Sequence, residues 1–167
     1  MDAATAYDAE QWSDLFVAAA GASAALAGLL FVAVSLNLQR ILRLPGLPER
    51  ALLTLMLLLS VTVVSLLGLI PGQSHTALGV ELLVQSLAWL AAAIPLMARS
   101  LPGRDDPRSW LIGRVGLVLA ALIPFVVGGA TMLAEAGGGL YWTVAGMLLA
   151  LIAGVTTAWV LLVEILR

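Results

Sequence analysis

Residues 15–36, LFVAAAGASAALAGLLFVAVSL, run for twenty-two positions without a single charged side chain. As a helix rising 1.5 Å per residue, this stretch measures ~33 Å, enough to cross a hydrocarbon layer of ~30 Å. Trp12-Ser13-Asp14 opens it, and Ser13 has the hydroxyl expected of an N-cap. The residues before it include Asp2, Asp8, Glu10 and Asp14 and no base, the reverse of a secretory leader, so the segment reads as a retained transmembrane helix.

Four similar apolar segments follow at about 51–70, 78–98, 111–134 and 140–163. Pro48 stands at a helix-start position before the second, and Pro71-Gly72 stops it. No segment alternates apolar and polar residues with period two, so a β-barrel has no support. The whole composition agrees: 62% of the 167 residues are hydrophobic and 11% are charged. Soluble domains average roughly 45–50% and about 25% respectively, and so short a chain cannot bury the excess within a water-facing fold. The expected architecture is all-α: one domain over residues 1–167, a bundle of five transmembrane helices.

Composition also excludes several kinds of chemistry. The chain has no cysteine and one histidine, His75, which leaves no disulfides, no cysteine-held metal and no intrachain bis-histidine haem. Asp105-Asp106, beside Arg104 and Arg108, makes a poor magnesium site on its own. No cofactor or metal is expected. A net charge of −2 gives no basis for nucleic-acid binding. Gly21-Ala22-Ser23-Ala24 lacks the last glycine of the Gly-x-Ser-Gly of intramembrane serine proteases, and His75, its only possible base, falls in a loop.

The eight basic residues are all arginine, a bias read as genomic and bacterial. Arg40, Arg43 and Arg50 lie between the first two segments, and Arg99, Arg104 and Arg108 between the third and fourth. Arg167 ends the chain. The intervening loops and the N-terminal tail have none. By the positive-inside rule this alternation predicts an outside N-terminus and a cytoplasmic C-terminus in a bacterial inner membrane. Trp12, Tyr141 and Trp142 fall at outer ends and Trp110 at an inner end, as interfacial anchors do; Trp89, in mid-span, is the exception. Asn37 to Arg43 is amphipathic and basic, suited to an anionic leaflet surface.

Small residues let helices approach closely in lipid. The first span carries Gly21, Ala24, Ala25, Gly28 and Ser35 on one side, the fourth Gly116, Ala120, Pro124 and Gly128, the fifth Gly146, Ala150, Gly154 and Ala158. These faces pack either within one chain or against a second copy or partner. In both cases the Gly21/Ala25/Gly28 face is expected to be a helix contact rather than a lipid-facing surface. Glu81, Gln85 and Trp89 form a polar stripe on the third span, with Glu81 either reaching the headgroups or facing water, a cation or a proton. Glu164 shares the fifth span's small-residue face and is expected to pair with Arg114 at similar depth. Pro95 and Pro124 each remove a backbone bond within a span.

Residues 12–17 (WSDLFV) and 21–38 (GASAALAGLLFVAVSLNL) resemble a group of small multi-pass membrane proteins of actinobacteria, some of which are labelled modulator of FtsH protease. The likeness extends along the whole chain and is sharpest in the first span. It implies a bacterial multi-pass topology and brings no catalytic residues. With lipid as its surroundings, the chain is expected to be a non-enzymatic protein acting by helix-mediated association, with itself as a homo-oligomer or with a larger membrane complex, in an accessory or modulator role. The alternative is a small homo-oligomeric channel or transporter subunit lined by Glu81 and Gln85.

Overall fold

The structure is a computed structural model that describes residues 3–44, 46–99 and 108–166, with side chains described over 5–44, 46–99 and 115–159. It is helical throughout its regular structure. Two 3-10 turns, Ala3–Tyr7 and Ala9–Trp12, lead into α1 (Ser13–Leu36); a short α2 (Leu38–Ile41) follows, then α3 (Leu47–Gly68), α4 (His75–Arg99), α5 (Arg108–Ala134) and α6 (Leu140–Leu166). Among the described residues five helices are long and apolar enough to cross a membrane, one for each segment expected from composition, although the second ends at Gly68, two residues short of the expected Ile70.

The helices exceed the apolar windows mainly at their starts, because a polar first turn can lie beyond the hydrocarbon while remaining helical. In α3 the helix opens three residues before Arg50, from Gly46 with φ of +80°, a left-handed conformation suited to glycine, and Pro48 occupies the first turn. The N-cap of α1 differs from expectation. Ser13 is already helical and Trp12 holds the cap position with no side-chain bond. The 3-10 turn ahead of it feeds straight into α1, and Asp8 caps that turn by accepting the Glu10 N–H at 3.2 Å.

α3 is the central helix. It packs against α1, α4 and α6, while α5 closes the far side between α4 and α6. Burial follows this order: 56% of the apolar window of α3 is enclosed, against 28% for α1 and α4. α3 also brings hydroxyls inside, with Thr54, Ser60 and Ser65 all buried. Such groups need internal partners in an apolar medium, and Thr54 and Ser60 donate to their own helix carbonyls at 2.8 and 2.7 Å. The core stacks Phe16, Val61, Leu82, Phe125, Met132 and Met147. α1 is peripheral, resting on α3 and the edge of α6.

The outer surface is apolar at mid-height: Leu29, Phe31, Val84 and Ile94 are each more than 60% exposed. The two ends are polar and unlike. Arg40, Arg43, Arg50 and Arg99 lie at the end where α1, α4 and the start of α3 meet, whereas Asp8, Glu10, Asp14, His75 and Glu135 lie at the other. The acidic end is closed by aromatic contacts. Trp12 packs edge-on against Tyr141 with centroids 4.8 Å apart and donates Nε1–H to the Thr5 carbonyl at 2.7 Å. Gly139, at φ of +47°, lies so close to Tyr7 and the Ala6 carbonyl that a Cβ would collide.

Candidate functional site

The stripe on the third span faces α3. Glu81 is half-buried and Gln73, from the loop before α4, donates Nε2–H to its Oε2 at 2.5 Å. One turn on, ~6 Å along the axis, Gln85 donates Nε2–H to the Ser60 carbonyl of α3 at 3.1 Å. The Oε1 atoms of Gln73 and Gln85, the hydroxyl of Ser65 and the indole N–H of Trp89 are buried without a protein partner. This is a polar seam between α3 and α4 with unfilled hydrogen-bonding capacity, and chiefly acceptors line its outer part. It stops at Trp89, which turns towards Leu57, Ala93, Val118 and Leu122 around a void of about 10 Å³. That inward packing accounts for a tryptophan in mid-span.

At its other end the seam adjoins an open cavity of about 540 Å³ lined by Tyr7, Asp8, Glu10, Ser13, Gln73 and His75, among others. Gln73 is thus shared between cavity and seam. Water or a small cation entering from the acidic end would meet carboxylates first, then Gln73 and Glu81. Among the described residues no three carboxylate or imidazole groups converge as metal ligands. Gln73 had no signal in the sequence, since eight residues separate it from Glu81 and only the loop geometry joins them.

A serine hydrolase arrangement is not formed. The Ser23 hydroxyl is buried, donating to the Ala19 carbonyl at 2.7 Å and bonded to Thr62 Oγ1 at 2.8 Å. His75 meets Glu135 at 2.8 Å on the surface of the acidic end.

The small-residue faces divide into two kinds. On α6 the expected contacts are made: a Cβ on Gly146 would press on the Phe125 ring at 3.0 Å, and one on Gly154 on Leu58 at 2.7 Å. On α5, Gly128 meets Thr143 of α6. Two of the expected small-residue positions, the face of α1 and Gly116 of α5, make no contact within the chain. Gly21, Ala25 and Gly28 point away from the bundle, and nothing lies within 4 Å of a Cβ at either glycine. The opposite side of α1, with Phe16, Ala19, Ser23, Ala27 and Leu30, is the one that packs. On that side Phe16 packs against Gly68 and Ser23 bonds Thr62. Gly116 is likewise open, on the outer side of α5.

Sequence reasoning missed the glycines that hold α4 to α5. A Cβ on Gly129 would lie 2.8 Å from Leu83, and one on Gly79 would press on Met132 and Leu133 at 3.1 Å. Consecutive helical residues are ~100° apart, so the Gly128-Gly129 pair serves both neighbours of α5. Adjacent glycines in a span packed on two sides were the available signal. The Arg114 and Glu164 side chains lie outside the described residues, although α5 and α6 run through both positions. No protein-family model matches the chain, and neither a curated protein nor a solved structure shows significant similarity to it.

Proposed function

We propose that this chain is a non-enzymatic multi-pass protein of a bacterial cytoplasmic membrane that works by association, docking the outward face of α1 on a second copy of itself or on a larger membrane complex. One observation carries the reading: Gly21, Ala25 and Gly28 form a flat strip on α1 with no atom within 4 Å of a Cβ at either glycine. Lipid solvates leucine as well as it does alanine, so a lipid-facing helix gains nothing from glycine and loses ~1 kcal/mol of helix propensity at each. A close helical neighbour recovers that loss through contact. The segregation of arginines at one end supports a cytoplasmic location for that end, and the resemblance to proteins labelled modulator of FtsH protease supports an accessory role.

Because the strip is open, Gly28→Leu has room in the monomer. Its effect on assembly is therefore separable from any effect on folding. Native mass spectrometry in detergent and in nanodiscs should find an oligomer or hetero-complex that Gly28→Leu and Gly21→Leu dissociate without lowering the thermal midpoint of the monomer. Identical stoichiometry and partners in all three proteins would sink the reading. A second reading, a channel or transporter subunit, is favoured by the seam from the acidic cavity through Glu81 to Gln85. It requires a ring of copies, since the seam ends at Trp89, and the same spectra report ring size.

A further inference from the structure

α1 and α6 run in parallel, both packed on α3 and only lightly on each other. The gap between them is a lateral groove of about 280 Å³, floored by Leu58 of α3 and walled by Leu29, Ala33 and Val155. Gly154 leaves the groove open by contributing no side chain to it. The lining is apolar except at one end, where Asn37 turns its amide back to the Ala33 carbonyl at 2.9 Å and Ile41 of α2 closes the base. Trp159, 67% exposed, stands on the rim.

We propose that this groove binds one acyl chain of an anionic phospholipid, with the headgroup phosphate held by Arg40 and Arg43. The inference rests on the membrane-embedded reading above and is independent of the docking strip. Length is the first argument. From Leu26 to Asn37 the groove follows α1 for ~16 Å, and one leaflet contributes ~15 Å of hydrocarbon. A partner helix, ~10–12 Å across and needing both leaflets, fits this half-height slot poorly. Charge is the second argument. Arg40 and Arg43 flank Ile41 at the closed end, both are exposed, and among the described residues neither has a carboxylate partner. Trp159 fits the third requirement, an amphipathic ring at headgroup level beside the chain.

The test is lipid retention by the full-length protein in mixed nanodiscs of phosphatidylglycerol and phosphatidylcholine, followed by detergent release and native mass spectrometry. Two arginines near an anionic headgroup predict a preference for phosphatidylglycerol of about tenfold to thirtyfold. R40Q/R43Q should abolish the preference while a lipid of either kind is still retained. V155W, a change on the exposed wall that spares the core, should displace the bound lipid altogether. Equal retention of the two lipids by the unmodified protein, or a preference that survives R40Q/R43Q, would overturn the proposal. So would V155W keeping its lipid, or a change in oligomeric state caused by V155W, which would mark the groove as a contact between copies. A protein that fails to enter nanodiscs at all would count against the membrane reading instead.

Discussion

Gly128 and Thr143 bring α5 and α6 together: a Cβ on Gly128 would lie 2.6 Å from Thr143 Oγ1 and 3.3 Å from the Thr143 backbone nitrogen. The hydroxyl could swing aside, but the backbone cannot. Gly128→Ala is therefore expected to destabilise by up to ~2 kcal/mol, overpacking of ~1–3 kcal/mol less the ~1 kcal/mol of helix propensity gained by alanine. Gly116→Ala, in open space on the same helix, should be neutral or stabilising by up to ~1 kcal/mol. Thermal midpoints of the two variants in one detergent decide it. Equal shifts would mean that the α5–α6 approach is looser than these distances imply.

Ser23 and Thr62 are the hydroxyl link between α1 and α3, 2.8 Å apart. Each also bonds a carbonyl of its own helix, Ser23 to Ala19 at 2.7 Å and Thr62 to Leu58 at 3.2 Å. Neither is stranded when the other is removed. The pair should thus couple weakly, by ~0.6 kcal/mol, the average for such bonds between membrane helices. A cycle of Ser23→Ala and Thr62→Val measures it. A coupling of several kcal/mol would show that this bond, rather than the packing of Phe16 on Gly68, sets the orientation of α1.

The number of helices long enough to cross a membrane was legible because hydrocarbon thickness sets a length that composition either meets or fails. The packing side of α1 was not legible. Alanine, leucine and valine occur all round that helix, so pattern offers no inward direction, and the glycine spacing pointed to the side that stays open. α3 carried a clearer signal. Thr54, Ser60, Thr62 and Ser65 make it the span richest in hydroxyls between its ends, and a hydroxyl in an apolar medium favours the interior, which is where α3 lies. The Glu81 stripe was visible as helical spacing. Its partner Gln73 was not, because a loop residue acquires its place only from the tertiary fold.

The proposed orientation makes a prediction that the absence of native cysteine renders free of background. Ser74→Cys and Glu135→Cys sit on the exposed acidic end, and Arg43→Cys on the exposed opposite end. In intact cells a membrane-impermeant maleimide should label the first two and not the third, with the pattern reversed in inside-out vesicles. Leu82→Cys, 1% exposed at Leu82 in the native fold, should react in neither until the protein is denatured. Labelling of Arg43→Cys in intact cells would reverse the topology. Labelling of all three surface positions would place the protein outside any sealed membrane.

Gln73 and Glu81 provide the sharpest test of the seam. The amide donates to a half-buried carboxylate, and such charge-assisted bonds are worth ~1.5–3 kcal/mol when fully shielded. Partial exposure of Glu81 lowers the expectation to about 1 kcal/mol. Gln73→Ala should therefore cost about that much in the unmodified chain, because the carboxylate loses its donor in apolar surroundings. In a Glu81→Ala background the same change should cost almost nothing, since the amide then has no charge to serve. Glu81→Gln keeps an acceptor at the same place but loses the charge, and should retain about half of the coupling. Losses that simply add would show that Gln73 and Glu81 act separately, and the cavity would then have no link to the interior of α3 and α4.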